Sequence, residues 1–394
     1  MAGPLLLRSL LSASTLKSFS SHLAPLPRFS RCFSSGPASA AAAATTYPSA
    51  YLDPGRLRNV AVIAHVDHGK TTLMDRLLRQ CGADIPHERA MDSISLERER
   101  GITIASKVTS VSWKENELNM VDTPGHADFG GEVERVVGMV EGAVLVVDAG
   151  EGPLAQTKFV LAKALKYGLR PLLLLNKVDR PSAVNDAVSE ERCNEVESLV
   201  FDLFANLGAT EEQLDFPVLY ASAKEGWASS TFTKDPPAGA KNMSQLLDAI
   251  VRHVPPPKAN LDGPFQMLVS MMEKDFYLGR ILTGRVSSGI VRVGDKIHGL
   301  RSSESGIEKI EEGKLVFPVH RMRDCERELQ LLTVENFCIT WTGRAGGKCR
   351  IWVVKLMKKK GTSMVLIDSA GAGDIISMAG LGSPSIGHTV ANTE

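Results

Sequence analysis

The stretch that decides the fold is Arg58-Asn59-Val60-Ala61-Val62-Ile63-Ala64-His65-Val66-Asp67-His68-Gly69-Lys70-Thr71-Thr72-Leu73-Met74. Arg58 to Ile63 is a short apolar run consistent with a buried strand. Beyond the turn, Leu73, Met74, Leu77 and Leu78 recur at helical spacing, with Arg76 and Arg79 on the polar side. A strand, a turn ending Gly-Lys-Thr and a helix make a phosphate-binding loop. Backbone N–H groups at the helix N-terminus point at phosphate oxygens, and the helix dipole favours their charge. Gly69 lets the backbone approach closely, Lys70 can reach the β- and γ-phosphates, and the Thr71 hydroxyl can ligate Mg²⁺. Asp67, His68 and Thr72 are assigned to the same nucleotide cradle. The first position of the usual pattern is Ala64 instead of Gly, a variant that costs little where φ is negative.

Three further apolar strands end in polar turns. Leu118 to Val121 leads into Asp122-Thr123-Pro124-Gly125-His126, about 50 residues after the phosphate loop. Asp122 offers a carboxylate toward Mg²⁺, and the Gly125 amide can meet a γ-phosphate. Pro171 to Leu175 ends in Asn176-Lys177-Val178-Asp179. A carboxylate accepting from N1 and the 2-amino group selects guanine over adenine, so Asp179 is the base-specificity residue. Ser222-Ala223-Lys224 follows the strand Pro217–Tyr220, where a backbone N–H can meet guanine O6. Each string is weak alone. Four in order, each at the carboxyl end of an apolar strand, predict an open α/β sheet with GTP or GDP bound at that edge.

Between the first two motifs lies Glu97-Arg98-Glu99-Arg100-Gly101-Ile102-Thr103-Ile104. Its charges read as a solvated helix face. Thr103 can place its hydroxyl on Mg²⁺ while a γ-phosphate is present and lose that contact after hydrolysis. The expected metal ligands are therefore Thr71, Thr103 and Asp122.

The 394 residues carry 45 Lys and Arg against 45 Asp and Glu, but the balance is uneven along the chain. No acidic residue precedes Asp53, whereas Arg8, Lys17, Arg28 and Arg31 all do. An Arg-rich, Ser-rich and acid-poor leader over 1–52 is expected to be an organellar transit peptide, mitochondrial in preference to chloroplast stroma. Without it, 41 basic residues face 45 acidic ones, which gives no charge for bulk nucleic-acid binding. No run is long and apolar enough for a membrane helix, so no membrane partner is expected. The six cysteines, at 32, 81, 193, 325, 338 and 349, form no framework and read as free thiols.

Together, Ala64 to Thr72, Arg100 to Ile104 and Asp122 to His126 resemble the translational GTPase superfamily. Within it, His126-Ala127-Asp128-Phe129-Gly130-Gly131-Glu132-Val133, Asp148-Ala149-Gly150-Glu151-Gly152-Pro153 and Gly284-Arg285-Val286 are similar to the TypA/BipA family. The resemblance covers roughly 57–314 and 353–394. It implies that His126 orients the attacking water once a large ribosomal subunit engages, with Val66 and Ile102 as an apolar gate. A neutral imidazole one residue beyond Gly125 suits that role. It also implies an organellar ribosome, through large-subunit rRNA, as the partner of a monomeric factor.

The GTP-binding domain is expected over 53–256, ending in a helix through Leu246, Leu247, Ile250 and Val251 and the linker Pro255-Pro256-Pro257. Strands Phe265–Met271, Gly279–Val286, Lys296–Gly299 and Met364–Ile367 predict a small antiparallel β-barrel over 257–394. Lys355 and Lys358 to Lys360 read equally as a charged edge strand or an rRNA contact. Residues 315–352 interrupt the family pattern; deleting them joins Lys314 to Val353 as one strand. A retained intron or mispredicted exon is the preferred explanation, a lineage-specific loop the other, and if translated it should splay that strand. The chain stops near the end of the barrel, where family members continue, and so reads as C-terminally truncated. The sequence therefore predicts a Mg²⁺-dependent GTPase of TypA/BipA type in ribosome assembly or stress adaptation. A LepA- or EF-G-like elongation factor and a non-productive GTP-binding fragment stay open as alternatives.

Overall fold

The computed structural model describes residues 52–83, 85, 97, 99, 103–124, 130–180, 188–304, 306–315, 332–335, 338–342 and 348–393. For 155–156 and 332–353 only the backbone is described. The expected leader up to residue 51, and 316–331, 336–337 and 343–347 of the unusual segment, lie outside these residues.

The first half is a seven-stranded sheet. Its strands are β1 (Leu57–Ala64), β2 (Lys107–Trp113), β3 (Asn116–Asp122), β4 (Gly142–Asp148), β5 (Arg170–Asn176), β6 (Val218–Ser222) and β7 (Trp227–Ser229). They lie in the order β2-β3-β1-β4-β5-β6-β7, with β3, β1, β4, β5 and β6 parallel and β2 and β7 antiparallel at the edges. The central strands are near-continuous apolar runs because helices cover both faces. Those helices are α1 (Lys70–Gln80), α2 (Gly130–Val137), α3 (Ala155–Lys166), α4 (Glu190–Asn206), α5 (Glu211–Leu214) and α6 (Ser244–His253). Side chains alternate between two cores. Ile63, Leu145 and Leu173 pack with Val136, Val160 and Phe204, while Val62, Val144 and Leu172 pack with Leu73, Leu77 and Ile250. Two cores hold the sheet rigid and leave its carboxyl rim to the loops.

The second half consists of strands β8 (Gln266–Asp275), β9 (Gly279–Ser288), β10 (Ile290–Arg292), β11 (Lys296–Ser303), β12 (Gly306–Leu315), β13 (Leu332–Glu335), β14 (Cys338–Thr342), β15 (Lys348–Lys360), β16 (Ser363–Leu366), β17 (Ser369–Gly371), β18 (Ile375–Ala379) and β19 (Thr389–Ala391). Pairings run β8-β9-β18-β15-β12-β11-β19 and back to β8, closing a barrel around Phe265, Met267, Leu282, Ile297, Leu356, Ile376 and Val390. One contact departs from the antiparallel expectation. β12 and β15 run parallel through Gly313↔Trp352, Lys314↔Val353 and Leu315↔Val354.

That contact corrects the expectation that the unusual segment splays its strand. The chain leaves the barrel at Leu315 and re-enters beside the same point in the same direction, and Leu315 and Val354 are both buried. β14 pairs with the front of β15, Cys338↔Trp352 to Thr342↔Lys348, so the extra strands extend one end of β15 and do not wedge the ring. The ring closes around the excursion.

Sheet and barrel meet along a buried polar seam. Asn59 Nδ2 donates to Glu141 Oε2 (3.0 Å) and to the Gly373 carbonyl (2.9 Å). Asn119 Nδ2 donates to Asn59 Oδ1 (2.8 Å) and Asp374 Oδ1 (3.1 Å). Thr109 Oγ1 donates to the Gly361 carbonyl at 2.7 Å, beside the single bridge Lys360↔Ser110. Lys358 corrects the reading of its basic run: it is buried, on an interior strand, with Nζ 2.5 Å from Asp374 Oδ1 and 2.8 Å from Glu117 Oε1. Burial alone would discharge it, but the two carboxylates outweigh that and hold its pKa above the ordinary lysine value.

Candidate functional site

The loop after β1 takes a backbone that few residues accept. Asp67 has φ 64° and Gly69 φ 97°. A Cβ on Gly69 would lie 2.4 Å from Asn176 Nδ2, so the position excludes any side chain. Asn176, at the end of β5, clamps the rim: its Nδ2 donates to the His68 carbonyl (2.8 Å), and its Oδ1 accepts from the Ala223 amide (2.9 Å). One amide thus joins the phosphate loop, Asn176-Lys177-Val178-Asp179 and Ser222-Ala223-Lys224. The last turn is fixed further by the Glu225 amide donating to Ser222 Oγ (3.1 Å) and by Arg76 Nη2 donating to the Lys224 carbonyl (2.5 Å).

Lys70 opens α1, and its ammonium donates to Thr103 Oγ1 at 2.9 Å and pairs with Asp122 at the end of β3. Lys70, Thr103 and Asp122, separated by up to 52 positions in the chain, converge on one point of the rim. Thr71 and Thr72 share the first turn of α1 with Lys70. The oxygens of Thr71, Thr103 and Asp122 are the hard donors that suit Mg²⁺. Among the described residues no group of three or more His, Cys, Asp or Glu could hold a metal. A divalent ion at this rim would share two hydroxyls and one carboxylate with ligand phosphates.

Asp179 lies half-buried in the turn after β5, where the Arg180 amide donates to the Lys177 carbonyl at 3.3 Å. Gly125, His126 and Ile102 lie outside the described residues. The charged run before Thr103 is not wholly solvated, as Glu97 is buried. Its carboxylate accepts from the amides of Ile104 (2.9 Å) and Ala105 (3.2 Å) and pairs with Lys107, fixing the backbone just after Thr103. Burial works against this charge, but Lys107 and the two amides outweigh it and lower the Glu97 pKa. No local pattern separates Glu97 from Glu99; only the chain folding back to Lys107 does.

His68, assigned to the nucleotide cradle, meets two residues that the site assignment left out, His65 and Asp148. His68 is buried, its ring 5.1 Å from that of His65. Its Nδ1 accepts from the Asp148 amide at 3.3 Å, and its Nε2 lies 3.5 Å from Glu151 Oε2. Burial, reinforced by His65, lowers its pKa despite Asp148 and Glu151, so it stays a neutral imidazole at pH 7. Asp148, fully buried at the end of β4, pairs through Oδ2 with Lys177 (2.7 Å) and Arg180 (3.1 Å). Its Oδ1 accepts from the Gly150 amide at 2.9 Å. Cys81 and Cys193, the cysteines whose side chains are described, are free thiols whose pKa burial raises to about 11.

A doubly covered parallel sheet with a Gly-Lys-Thr turn before its first helix defines a P-loop nucleotide-binding protein. The elongation factor Tu GTP binding domain family matches residues 55–256, and the chain belongs to that family, in its TypA/BipA branch. It is 43% identical over 343 residues to the large ribosomal subunit assembly factor BipA of Escherichia coli K12, covering 86% of this chain and 48% of the relative. The BipA proteins of Haemophilus influenzae (42% over 347 residues; 86% and 47%) and Synechocystis (43% over 340; 85% and 48%) are similar to it in the same way. The chain spans about half the length of the curated relatives it matches.

Proposed function

We propose that the protein binds GTP and GDP with Mg²⁺ at the carboxyl rim of its parallel sheet and hydrolyses GTP as a translational GTPase of the BipA type. The observation that carries this is the Asn176 clamp, which brings the three nucleotide loops together while Lys70, Thr103 and Asp122 converge beside them. In this reading the loop amides from Asp67 to Thr72 and the Lys70 ammonium hold the phosphates. Asp179 accepts from the guanine N1 and 2-amino groups, and the Ser222–Lys224 turn meets O6. Thr71, Thr103 and Asp122 would hold Mg²⁺, which supplies charge neutralisation at the β- and γ-phosphates. Thr103, braced by Glu97, reports the γ-phosphate, Gly125 offers it an amide, and His126 orients the water.

The partner in this reading is the large ribosomal subunit, as the name of the BipA relatives suggests, and the factor acts as a monomer in ribosome assembly. The acid-free leader supports an organelle, the mitochondrion before the chloroplast stroma. The test is GTP turnover by the full chain with and without ribosomes. The reading expects slow intrinsic turnover, stimulation by ribosomes, and loss of that stimulation in His126→Ala with GTP affinity kept. Stimulated turnover that survives the substitution contradicts the assignment of His126. No guanine-nucleotide binding at all contradicts the whole reading.

A further inference from the structure

A cavity of about 320 Å³ lies where the sheet meets the barrel, and none of the residues assigned to the nucleotide lines it. Its walls come from four parts of the chain: Ala105 and Ser106 just before β2, Glu132 on α2, Met271 to Lys274 on β8, and Ile386 ahead of β19. That volume falls at the lower end of small-molecule sites, roughly 300–1,000 Å³.

Two observations say what would fill it. Ser106 is only 3% exposed, yet its Oγ has no hydrogen-bond partner among the described residues, and it belongs to the lining. A buried hydroxyl left unpaired is costly, and native structures keep few of them. It marks a hydrogen-bonding position for an occupant. The second observation is the balance of the other walls. Met271 is buried, Ile386 half-buried and Met272 exposed, an apolar surface whose flexible thioethers adapt to varied shapes. The charges around it cancel. Glu132 pairs with Arg135 at 3.1 Å, Lys107 gives its ammonium to Glu97, and Glu273 stands next to Lys274. An ionic ligand would gain from one of these neighbours and lose to the other.

We propose that this cavity binds an uncharged amphipathic small molecule, its apolar body on Met271, Met272 and Ile386 and one polar group on Ser106 Oγ. Ser106 lies three positions after Thr103, whose Oγ1 accepts from Lys70. An occupant therefore bears on the segment assigned to Mg²⁺ and the γ-phosphate and ties it to the barrel. Binding stands independently of the nucleotide; the coupling rests on the guanine-nucleotide reading above.

The test titrates the full chain with N-phenyl-1-naphthylamine, an uncharged apolar fluorophore with a single N–H. Its fluorescence should rise saturably, with one site per chain. Ser106→Ala, which removes the acceptor, should weaken the probe about three- to tenfold. Met272→Trp, a larger side chain at an exposed lining position, should abolish saturable binding and leave GDP affinity at the wild-type value. Replacing GDP with a non-hydrolysable GTP analogue should shift the probe's affinity at least about threefold. The probe should then shift the preference between the two nucleotides by the same factor. No saturable signal, or one that survives both variants unchanged, would overturn the proposal and leave the cavity to water. A probe affinity indifferent to the nucleotide would overturn the coupling. Absence of GDP binding in the wild type would instead break the guanine-nucleotide reading, and the probe titrations would still decide the site. If Met272→Trp does not fold, Ser106→Ala decides it alone.

Discussion

The nucleotide rim and the barrel seam both bury charge, and they do so in opposite ways. At the rim, Lys70, Asp122, Asp148 and Lys177 stand on loops and strand ends that open toward the carboxyl edge. At the seam, Lys358, Asp374 and Glu117 lie between packed strands and answer one another completely. The rim residues come from short consecutive motifs, whereas the seam joins residues as distant as Asn59 and Gly373, 314 positions apart. A charge cluster with its partners at an open edge has capacity left for a ligand. One whose partners are all internal holds two parts of a protein together.

The comparison can be broken at either end, and the largest effect is expected at the seam. Lys358→Met should leave Asp374 and Glu117 facing each other without their cation and cost about 3–5 kcal/mol in chemical denaturation. It should leave GDP affinity of the folded fraction unchanged. A stable variant with altered nucleotide affinity would mean that the seam belongs to the site. At the rim the pattern reverses. Asp179→Ala should reduce GDP affinity about a hundredfold or more, since a lost bidentate charged contact is worth roughly 3 kcal/mol. Its denaturation midpoint should not move.

A smaller effect follows from the histidines. Burial holds His68 and His253 below the ordinary 6.5, so the unfolded chain takes up their protons first. Stability should therefore fall as pH drops below about 6.5, and His68→Gln should flatten part of that slope. The depressed Asp148 adds to the loss only as pH nears and passes below its ordinary 3.8. Thermal melts between pH 7.5 and 4.5 check this, and a pH-independent midpoint would contradict it. Smallest of all, Arg301→Ala removes an exposed pair with Glu308 and should leave the denaturation midpoint unmoved.

The contrast also explains what could be read from the chain alone. Gly69, Lys70, Asp122 and Asn176 were legible because each belongs to a motif that follows an apolar run at a specific spacing, and a mostly parallel sheet, though not its strand order, follows from such runs. The barrel was legible from alternating strands and Gly-rich turns. Lys358 was not, because a lysine in a run of lysines carries no local mark of burial; only its partners on β3 and before β18 bury it. Asp148 and Glu97 stayed hidden for the same reason, their partners lying 29 and 10 positions away on other elements. The parallel return of β15 beside β12 was beyond sequence reasoning too. An excursion of that length says nothing by itself about where the chain re-enters.

The most direct test of the account is a nucleotide-preference measurement on the full chain and its Asp179→Asn variant, in the presence of Mg²⁺. Asparagine can donate where aspartate only accepts, so the variant should exchange guanine for xanthine, which carries a carbonyl in place of the 2-amino group. The account predicts that the wild type binds GDP at least about a hundredfold more tightly than ADP or xanthosine diphosphate, and that the variant prefers xanthosine diphosphate. Equal binding of GDP and ADP by the wild type, or undiminished GDP binding by the variant, would contradict it.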